Sequence, residues 1–219
     1  MFLWLNMSIK DKYSVKSIKP SETYDWLKNK HYAKRIPSIS YAFGLYDDKI
    51  LIGICTFGLP ASPSLCVGVC GENYKNKVLE LNRLCINDGM LKNTASYFVS
   101  NTLSLLPHGK IIVSYADSDM GHFGYIYQAC NFFYTGKTKE RTDIGLEDGS
   151  HSRHYNKNLN YKLFRKKRSS KYRYVIFTGT KKEKKILKKA LNYKIQAYPK
   201  GDNKRYDASY KPSTQLSLL

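Results

Sequence analysis

The chain has 219 residues, of which 42% are apolar and 14% aromatic, a composition that supports a buried core and excludes intrinsic disorder. Lysine and arginine number 37 against 17 aspartate and glutamate residues, so the formal net charge is +20. Five cysteines without CxxC spacing predict reduced thiols rather than a disulfide framework or a zinc cluster. Since no apolar run reaches ~20 residues and the apolar start lacks a basic flank, we expect neither a membrane span nor secretion.

The first 76 residues predict a strand, a short helix and a hairpin. Weak alternation at 12–18 predicts the strand, and Pro20-Ser21-Glu22-Thr23 is typical of the start of a helix that runs to His31. Two segments rich in β-branched and aromatic residues, 39–46 and 49–57, predict a hairpin. Proline, serine and glycine at 59–76 predict a loop.

Strands and helices alternate in the rest of the chain. The predicted elements, in order, are a strand at 77–86, a helix at 93–106, a buried strand at 110–116, a helix at 121–130, and strands at 131–138 and 172–177. A last helix at 181–193 carries an apolar stripe of Ile186, Leu187, Ala190 and Leu191 opposite lysines. This order predicts a mixed α/β domain with one central sheet.

The positive charge is concentrated in the last third of the chain. Residues 151–219 hold 20 basic and three acidic residues, which leaves only +3 for residues 1–150. We therefore predict a catalytic core at 1–150 and a basic C-terminal extension at 151–219 that packs on or continues the core. Cations mixed with tyrosines suit double-stranded DNA, although a solvated, solubilising face is the alternative. The predicted DNA-binding residues are Arg165, Lys166, Lys167, Arg168, Lys171 and Arg173.

Several motifs, taken together, resemble known enzymes. Tyr127-Gln128-Ala129-Cys130-Asn131-Phe132 is similar to a GNAT acyltransferase segment in which a helix tyrosine precedes a Gly-Phe pair. The other motifs are His31-Tyr32, Glu80-Leu81-Asn82-Arg83-Leu84, Ser114-Tyr115-Ala116-Asp117, Gly121-His122, Tyr172-Arg173-Tyr174-Val175 and Tyr198-Pro199-Lys200-Gly201. The set resembles the phage Mom DNA-modification family over about residues 20–201. The resemblance implies a GNAT-like fold and conversion of adenine in DNA to a methylcarbamoyl form, which protects phage DNA from restriction in the cytoplasm of the infected host.

The resemblance also assigns catalytic roles to five residues. Tyr127 would protonate the departing coenzyme A thiolate and Glu80 would act as general base; a core tyrosine and a structural carboxylate are the alternatives. His31 and Tyr32 would bind the acceptor base, or a metal together with one further ligand. Asp117 ends a buried strand, where α/β sheets present site residues, but it could equally cap the following helix.

The expected donor of the family is an acyl-CoA such as acetyl-CoA. Arg83 would hold its phosphates or the DNA, and because Glu80 and Arg83 lie three apart on a strand, we expect them on opposite faces. The remaining predicted cofactor-binding residues are Asn93, Thr94, Ser96 and Ser114. The segment at 93–96 lacks the glycines of the usual pyrophosphate turn, so this donor stays open. Two other functions also stay open: an ordinary GNAT N-acetyltransferase acting on a protein or small amine, and a non-catalytic DNA-binding protein.

Overall fold

The computed structural model describes residues 8–146 and 163–202, which form one large sheet, a small ribbon and several short helices. The strands are β1 (Tyr13–Ser17), β2 (Tyr41–Asp47), β3 (Ile50–Gly58), β4 (Val78–Ile86), β5 (Ile111–Asp117), β6 (Phe133–Lys137), β7 (Arg141–Leu146), β8 (Leu163–Arg168) and β9 (Lys171–Phe177). The α-helices are α1 (Ile9–Lys12), α2 (Pro63–Cys70), α3 (Thr94–Leu105), α4 (Tyr125–Ala129) and α5 (Lys181–Lys189). Two 3₁₀ turns (Pro20–Thr23, Glu72–Lys77) and a π-helical turn (Trp26–Lys30) complete the helical segments.

Seven strands form the main sheet, in the order β1-β2-β3-β4-β5-β9-β6. Neighbouring strands are antiparallel except β4 and β5, which run parallel. The predicted mixed α/β class with one central sheet is confirmed. The predicted domain boundary at residue 150 lies outside the described residues, but β9, from the basic C-terminal third, lies inside the sheet between β5 and β6.

The parallel pair β4 and β5 is joined over only three residue pairs, from Val78↔Ile111 to Glu80↔Val113. At the next position the Ser114 hydroxyl donates to the Leu81 carbonyl over 2.9 Å. Beyond that point β4 pairs with β3 alone and β5 with β9 alone. The centre of the sheet therefore opens into a cleft.

Apolar side chains pack on both faces of the sheet. Alternation along β5 sends Ile112 to the face covered by α3 and Ile111 to the face covered by α2 and α5. Phe98 of α3 and Leu187 of α5 are buried on their respective faces. Burying each such side chain contributes about 1.5–3 kcal/mol, which fixes the helices against the sheet. No helix in the described ranges is long and apolar enough to cross a membrane.

Three predicted elements differ from the structure. The loop predicted at 59–76 is wrong: α2 starts with Pro63 in its first turn and buries Val69. The helix predicted at 121–130 begins only at Tyr125, because Gly124 adopts a left-handed φ of 76°. The helix predicted at 181–193 ends at Lys189, and Ile186 of its apolar stripe is exposed. The antiparallel ribbon of β7 and β8 had no prediction from the sequence.

Candidate active site

A cavity of about 460 Å³ occupies the cleft between β4 and β5. Its wall includes Glu80 to Ile86 of β4, Tyr115 and Ala116 of β5, Gly124 to Tyr127 around α4, and His31, Tyr32, Arg35, His122, Arg168 and Lys171 from the surrounding segments. The structure thus brings together five residues that the sequence motifs singled out: Glu80, Arg83, Tyr127, His31 and Tyr32.

A β-bulge at Asn82 brings Glu80 and Arg83 to the same cavity. The register of β3 against β4 passes from Thr56↔Arg83 to Phe57↔Leu81, which leaves Asn82 as the extra residue. Its side chain accepts from the Thr56 hydroxyl (2.6 Å) and donates to the Ser38 carbonyl (2.8 Å). The prediction that Glu80 and Arg83 lie on opposite faces is therefore wrong, because the bulge resets the alternation between them.

Charged groups of opposite sign share this part of the cavity. Burial raises the pKa of the Glu80 carboxyl, against the opposing effects of Arg83 and Lys171. Burial and the nearby positive charge of Arg35 lower the pKa of Arg83. Within the described residues the buried Arg83 Nε has no hydrogen-bond partner. Two guanidinium groups beside one carboxylate are suited to bind an anionic group.

His31, Tyr32 and His122 form a neutral aromatic wall. The His31 and Tyr32 rings stack with centroids 4.4 Å apart, and His122 meets Tyr32 edge-on at 6.2 Å. Burial, with Arg83 and His122 nearby, lowers the pKa of His31 to about 3, so its imidazole is uncharged at neutral pH. Because Nδ1 of His31 accepts the Ala33 N–H (3.0 Å), its proton is on Nε2. Burial and the charge of Asp117 raise the pKa of Tyr32, which keeps the phenol protonated.

The alternative of a metal at His31 and Tyr32 gains no support. Among residues 8–146 and 163–202, no three His, Cys, Asp or Glu side chains are grouped so as to hold a metal ion. The Nδ1 atom of His31 is also engaged by the backbone.

Tyr127 is fixed by its ring and by its hydroxyl. The ring contacts Phe132 and Tyr174, each with centroids 5.3 Å apart, and the hydroxyl is hydrogen-bonded to Ser114. Burial raises the pKa of Tyr127, so the phenol stays protonated at neutral pH. Ser114 itself is fully buried, which contradicts its predicted contact with a cofactor; it holds Tyr127 and the Leu81 carbonyl instead. The next residue, Tyr115, lines the cavity.

Asp117 lies beside the cavity rather than in its wall. Its Oδ2 accepts from Lys171 Nζ at 2.5 Å, and its Oδ1 accepts from the Ser169 hydroxyl (2.7 Å) and the Asp119 N–H (3.1 Å). Burial alone would raise the pKa of Asp117, but the hydrogen bonds from Lys171 and Ser169 outweigh it and lower the pKa. Since Ser169 follows β8 directly, Asp117 anchors the end of the β7–β8 ribbon next to the cavity.

The segment at the start of α3 lies away from the cleft. Asn93 and Ser96 line a separate, open groove of about 630 Å³ that also includes Lys10. The Thr94 hydroxyl donates to the Leu91 carbonyl (2.7 Å) and the Ser96 hydroxyl to the Asn93 carbonyl (3.0 Å). These hydroxyls already donate to backbone carbonyls, and the role of this segment in binding acyl-CoA stays a prediction.

The predicted DNA-binding residues separate into three groups. Arg168 and Lys171 line the cavity. Arg173 does not: its guanidinium lies 3.4 Å from the centroid of the Tyr193 ring and donates to the Thr135 hydroxyl and carbonyl, and its contact with DNA stays a prediction. The other three residues belong to β8 by their backbone, while their side chains lie outside the described part of the structure: Arg165, Lys166 and Lys167.

Arg35, Tyr115 and His122 line the cavity without having been predicted as site residues. His122 belongs to the Gly121-His122 motif and could have been found there. Arg35 follows the helical segment in a turn, and only the tertiary fold brings it to Arg83.

The Mom protein family matches residues 12–200. The methylcarbamoylase Mom of Escherichia phage Mu is 28% identical over 211 residues, with 86% of each chain covered. Similar solved structures include a putative acetyltransferase from Salmonella typhimurium with its cofactor acetyl-CoA (9% identity, TM-score 0.45, 76% of this chain and 94% of that one). An acetyltransferase of the GNAT family from Bacillus cereus is also similar (12% identity, TM-score 0.43, 77% and 99% covered).

The expected mixed α/β class with one central sheet is confirmed, and the GNAT-like form of that class stays a prediction. The family match extends from the first strand to beyond the last helix and takes in every residue of the cavity wall. On that evidence the chain belongs to the Mom protein family.

Proposed function

We propose that this protein attaches a methylcarbamoyl-type group to adenine in double-stranded phage DNA, in the cytoplasm of the infected bacterium, and so protects that DNA from host restriction. The chain is an acyltransferase-like enzyme of the Mom family, and its relative from phage Mu is named a methylcarbamoylase. The observation that carries the proposal is the cavity between β4 and β5. It combines the aromatic wall, the partly buried side chains of Glu80 and Tyr127, and several cations.

The cavity has the size and lining to receive a single base. Its volume of about 460 Å³ lies within the usual range for small-ligand sites. An adenine inside a duplex cannot reach such a site, so the target nucleotide must flip out of the stack. The neutral His31–Tyr32–His122 wall gives the flipped base a surface to stack on.

Two residues of the cavity wall would transfer protons in the proposed reaction. Glu80, whose pKa is raised by burial, would accept a proton from the exocyclic amine as that nitrogen bonds to the donor carbon. Tyr127 would give its proton to the group that leaves the donor. Arg35 and Arg83 would hold an anionic part of the donor or of the DNA.

The donor is left open by the chemistry of the product. Plain acyl transfer to the amine would give an amide, whereas the methylcarbamoyl product carries a methylene on that nitrogen. A donor or a second step beyond ordinary GNAT chemistry is therefore required. The occupied hydroxyls of Thr94 and Ser96 agree with a departure from standard acyl-CoA binding.

DNA would approach along the β7–β8 ribbon. Arg168 and Lys171 lie at the cavity, and both can neutralise backbone phosphates next to the flipped nucleotide. Asp117 holds the ribbon end in place through Ser169 and Lys171.

Mass spectrometry of nucleosides from the DNA of expressing cells tests the proposal. We expect a modified adenosine from wild type, and a loss of ~10²-fold or more from Glu80→Gln. Glu72→Gln is the matched control, because Glu72 is exposed and pairs with Lys75 on a surface turn away from the cavity wall. Unaltered nucleosides from wild type would favour a DNA-binding protein. Turnover of acetyl-CoA with an amine but without DNA would favour an ordinary N-acetyltransferase.

A further inference from the structure

A segment without regular secondary structure, residues 191–202, follows α5 and crosses the outer edge of the sheet; we call it the C-terminal strap. The Asn192 N–H donates to the carbonyl of Val69 in α2 (2.9 Å). The Gln196 N–H donates to the carbonyl of Tyr134 in the edge strand β6 (2.9 Å). The strap is thus tied to the body before it reaches the active-site helix.

The end of the strap docks on α4. The Gln128 amide donates to the Pro199 carbonyl (3.1 Å). The Tyr125 hydroxyl donates to the Gly201 carbonyl (2.7 Å) and accepts from the Gly201 N–H (3.1 Å). Gly201 lies so close to Phe123 that an added Cβ would stand 2.3 Å from its ring. Only glycine fits this contact without a shift of the ring or of the strap.

Helix α4 cannot hold its position alone. It has five residues and is flanked by left-handed backbone at Gly124 and Asn131, and helices this short are unstable without outside contacts. Gln128 supplies such contacts, since its Nε2 lies 3.1–3.2 Å from the carbonyls of Phe123 and Pro199 and from the Tyr174 hydroxyl, and its two N–H groups are shared among these three acceptors. The same helix carries Tyr127 and forms one wall of the cavity.

We infer that the C-terminal strap is a positioning element for the active site: docking of Gly201 against Phe123 and Tyr125 sets the placement of α4 and of the Tyr127 hydroxyl. The catalytic consequence rests on the proposed function, but the mechanical part does not. Reactive groups displaced by about 1 Å can lose ~10²-fold in rate, so a strap far from the chemistry can control it.

Hydrogen–deuterium exchange of the full chain tests the mechanical part. In Gly201→Ala, the amides of residues 125–130 should exchange ~10-fold faster than in wild type, while those of β3 and β4 stay unchanged. Ala197→Ser is the matched control, because Ala197 is an exposed residue of the same strap. Unchanged exchange at 125–130 in Gly201→Ala would overturn the inference, whatever the protein modifies.

The level of modified adenosine tests the catalytic part. Gly201→Ala should lower it by ~10-fold or more at unchanged DNA affinity, as expected for misplaced reacting groups. Adding Phe123→Leu makes room for the new methyl group and should restore both the exchange pattern and the modification. Full modification by the single variant would overturn the strap's role in catalysis. Failure of the wild type to modify DNA would instead remove the proposed function and leave the exchange result to decide about the strap.

Discussion

The Lys171 ammonium lies 2.5 Å from the Asp117 carboxylate and so joins the end of β5 to the start of β9. This pair stands at the point where the basic ribbon returns to the sheet, and Lys171 also lines the cavity. One ion pair thus links the β7–β8 ribbon to the cleft, and each oxygen of Asp117 already accepts a hydrogen bond within the described residues.

Asp117→Asn should mainly weaken DNA binding. The change removes the charge that holds Lys171. Because the pair is partly exposed, we expect the free energy of unfolding to fall by only about 0.5–1 kcal/mol. Affinity for duplex DNA, measured by fluorescence anisotropy, should fall several-fold while modification at saturating DNA is largely kept. Asp119→Asn, at an exposed position two residues on, is the control. A loss of ~10²-fold at saturating DNA would instead make Asp117 catalytic.

Tyr127→Phe should separate catalysis from packing. The ring keeps its contacts with Phe132 and Tyr174 and loses only the hydroxyl, so we expect a stability cost of about 1 kcal/mol. If Tyr127 protonates the leaving group, modified adenosine should fall by ~10²–10⁴-fold at unchanged DNA affinity. Melting temperature, affinity and modification are measured on the same variant. A stable Phe variant with full modification would remove Tyr127 from the mechanism.

Alanine at Arg165, Lys166, Lys167 and Arg168 should flatten the salt dependence of DNA binding. Each phosphate contact contributes about 0.9 to the log–log slope, so four contacts would lower it by up to about 3.6. The matched control removes the same charge from four exposed lysines of α5: Lys181, Lys182, Lys184 and Lys185. Equal effects of the two quadruple variants would show that the net charge matters and the ribbon does not.

The buried imidazole of His31 should make the folded protein less stable as the pH falls from neutral. Its pKa is lowered from 6.5 to about 3 in the folded protein, so between those values the unfolded chain binds the extra proton. Stability therefore rises with pH in that window, by up to about 1.4 kcal/mol per unit. Thermal melts at pH 5 and pH 7 should differ more for wild type than for His31→Gln. His108→Gln, at an exposed position beside Glu183, should leave the wild-type difference unchanged.

Local patterns in the sequence predicted most of the strands. The predicted hairpin around Asp47-Asp48, the long helix α3 and the buried strand β5 match the structure in type and position. At these places the hydrophobic periodicity and the turn residues favour the same element. The motif residues His31, Glu80 and Tyr127 were found from their resemblance to a family, and the fold explains how they meet.

The failures come from contacts that no local pattern contains. The bulge at Asn82 depends on Ser38 and Thr56, which lie far away in the sequence, and it alone puts Glu80 and Arg83 in one cavity. Arg173 lies in a basic stretch, yet Tyr193 and Thr135 hold it on the body of the protein. A high density of positive charge in the sequence predicts a basic surface, but it does not predict which basic side chains are held by other residues of the protein.

The short pairing of β4 with β5 divides the sheet into two halves, one of which is synthesised before the other. The half from β1 to β4 pairs strands that follow one another in the chain, so its contacts are comparatively local and can form early on the ribosome. The other half must wait, because β9 enters between β5 and β6 only after Phe177 has been made. The cleft is therefore among the last features to assemble, and a chain that ended before β9 would lack both Lys171 of the cavity wall and the strand that pairs with β5.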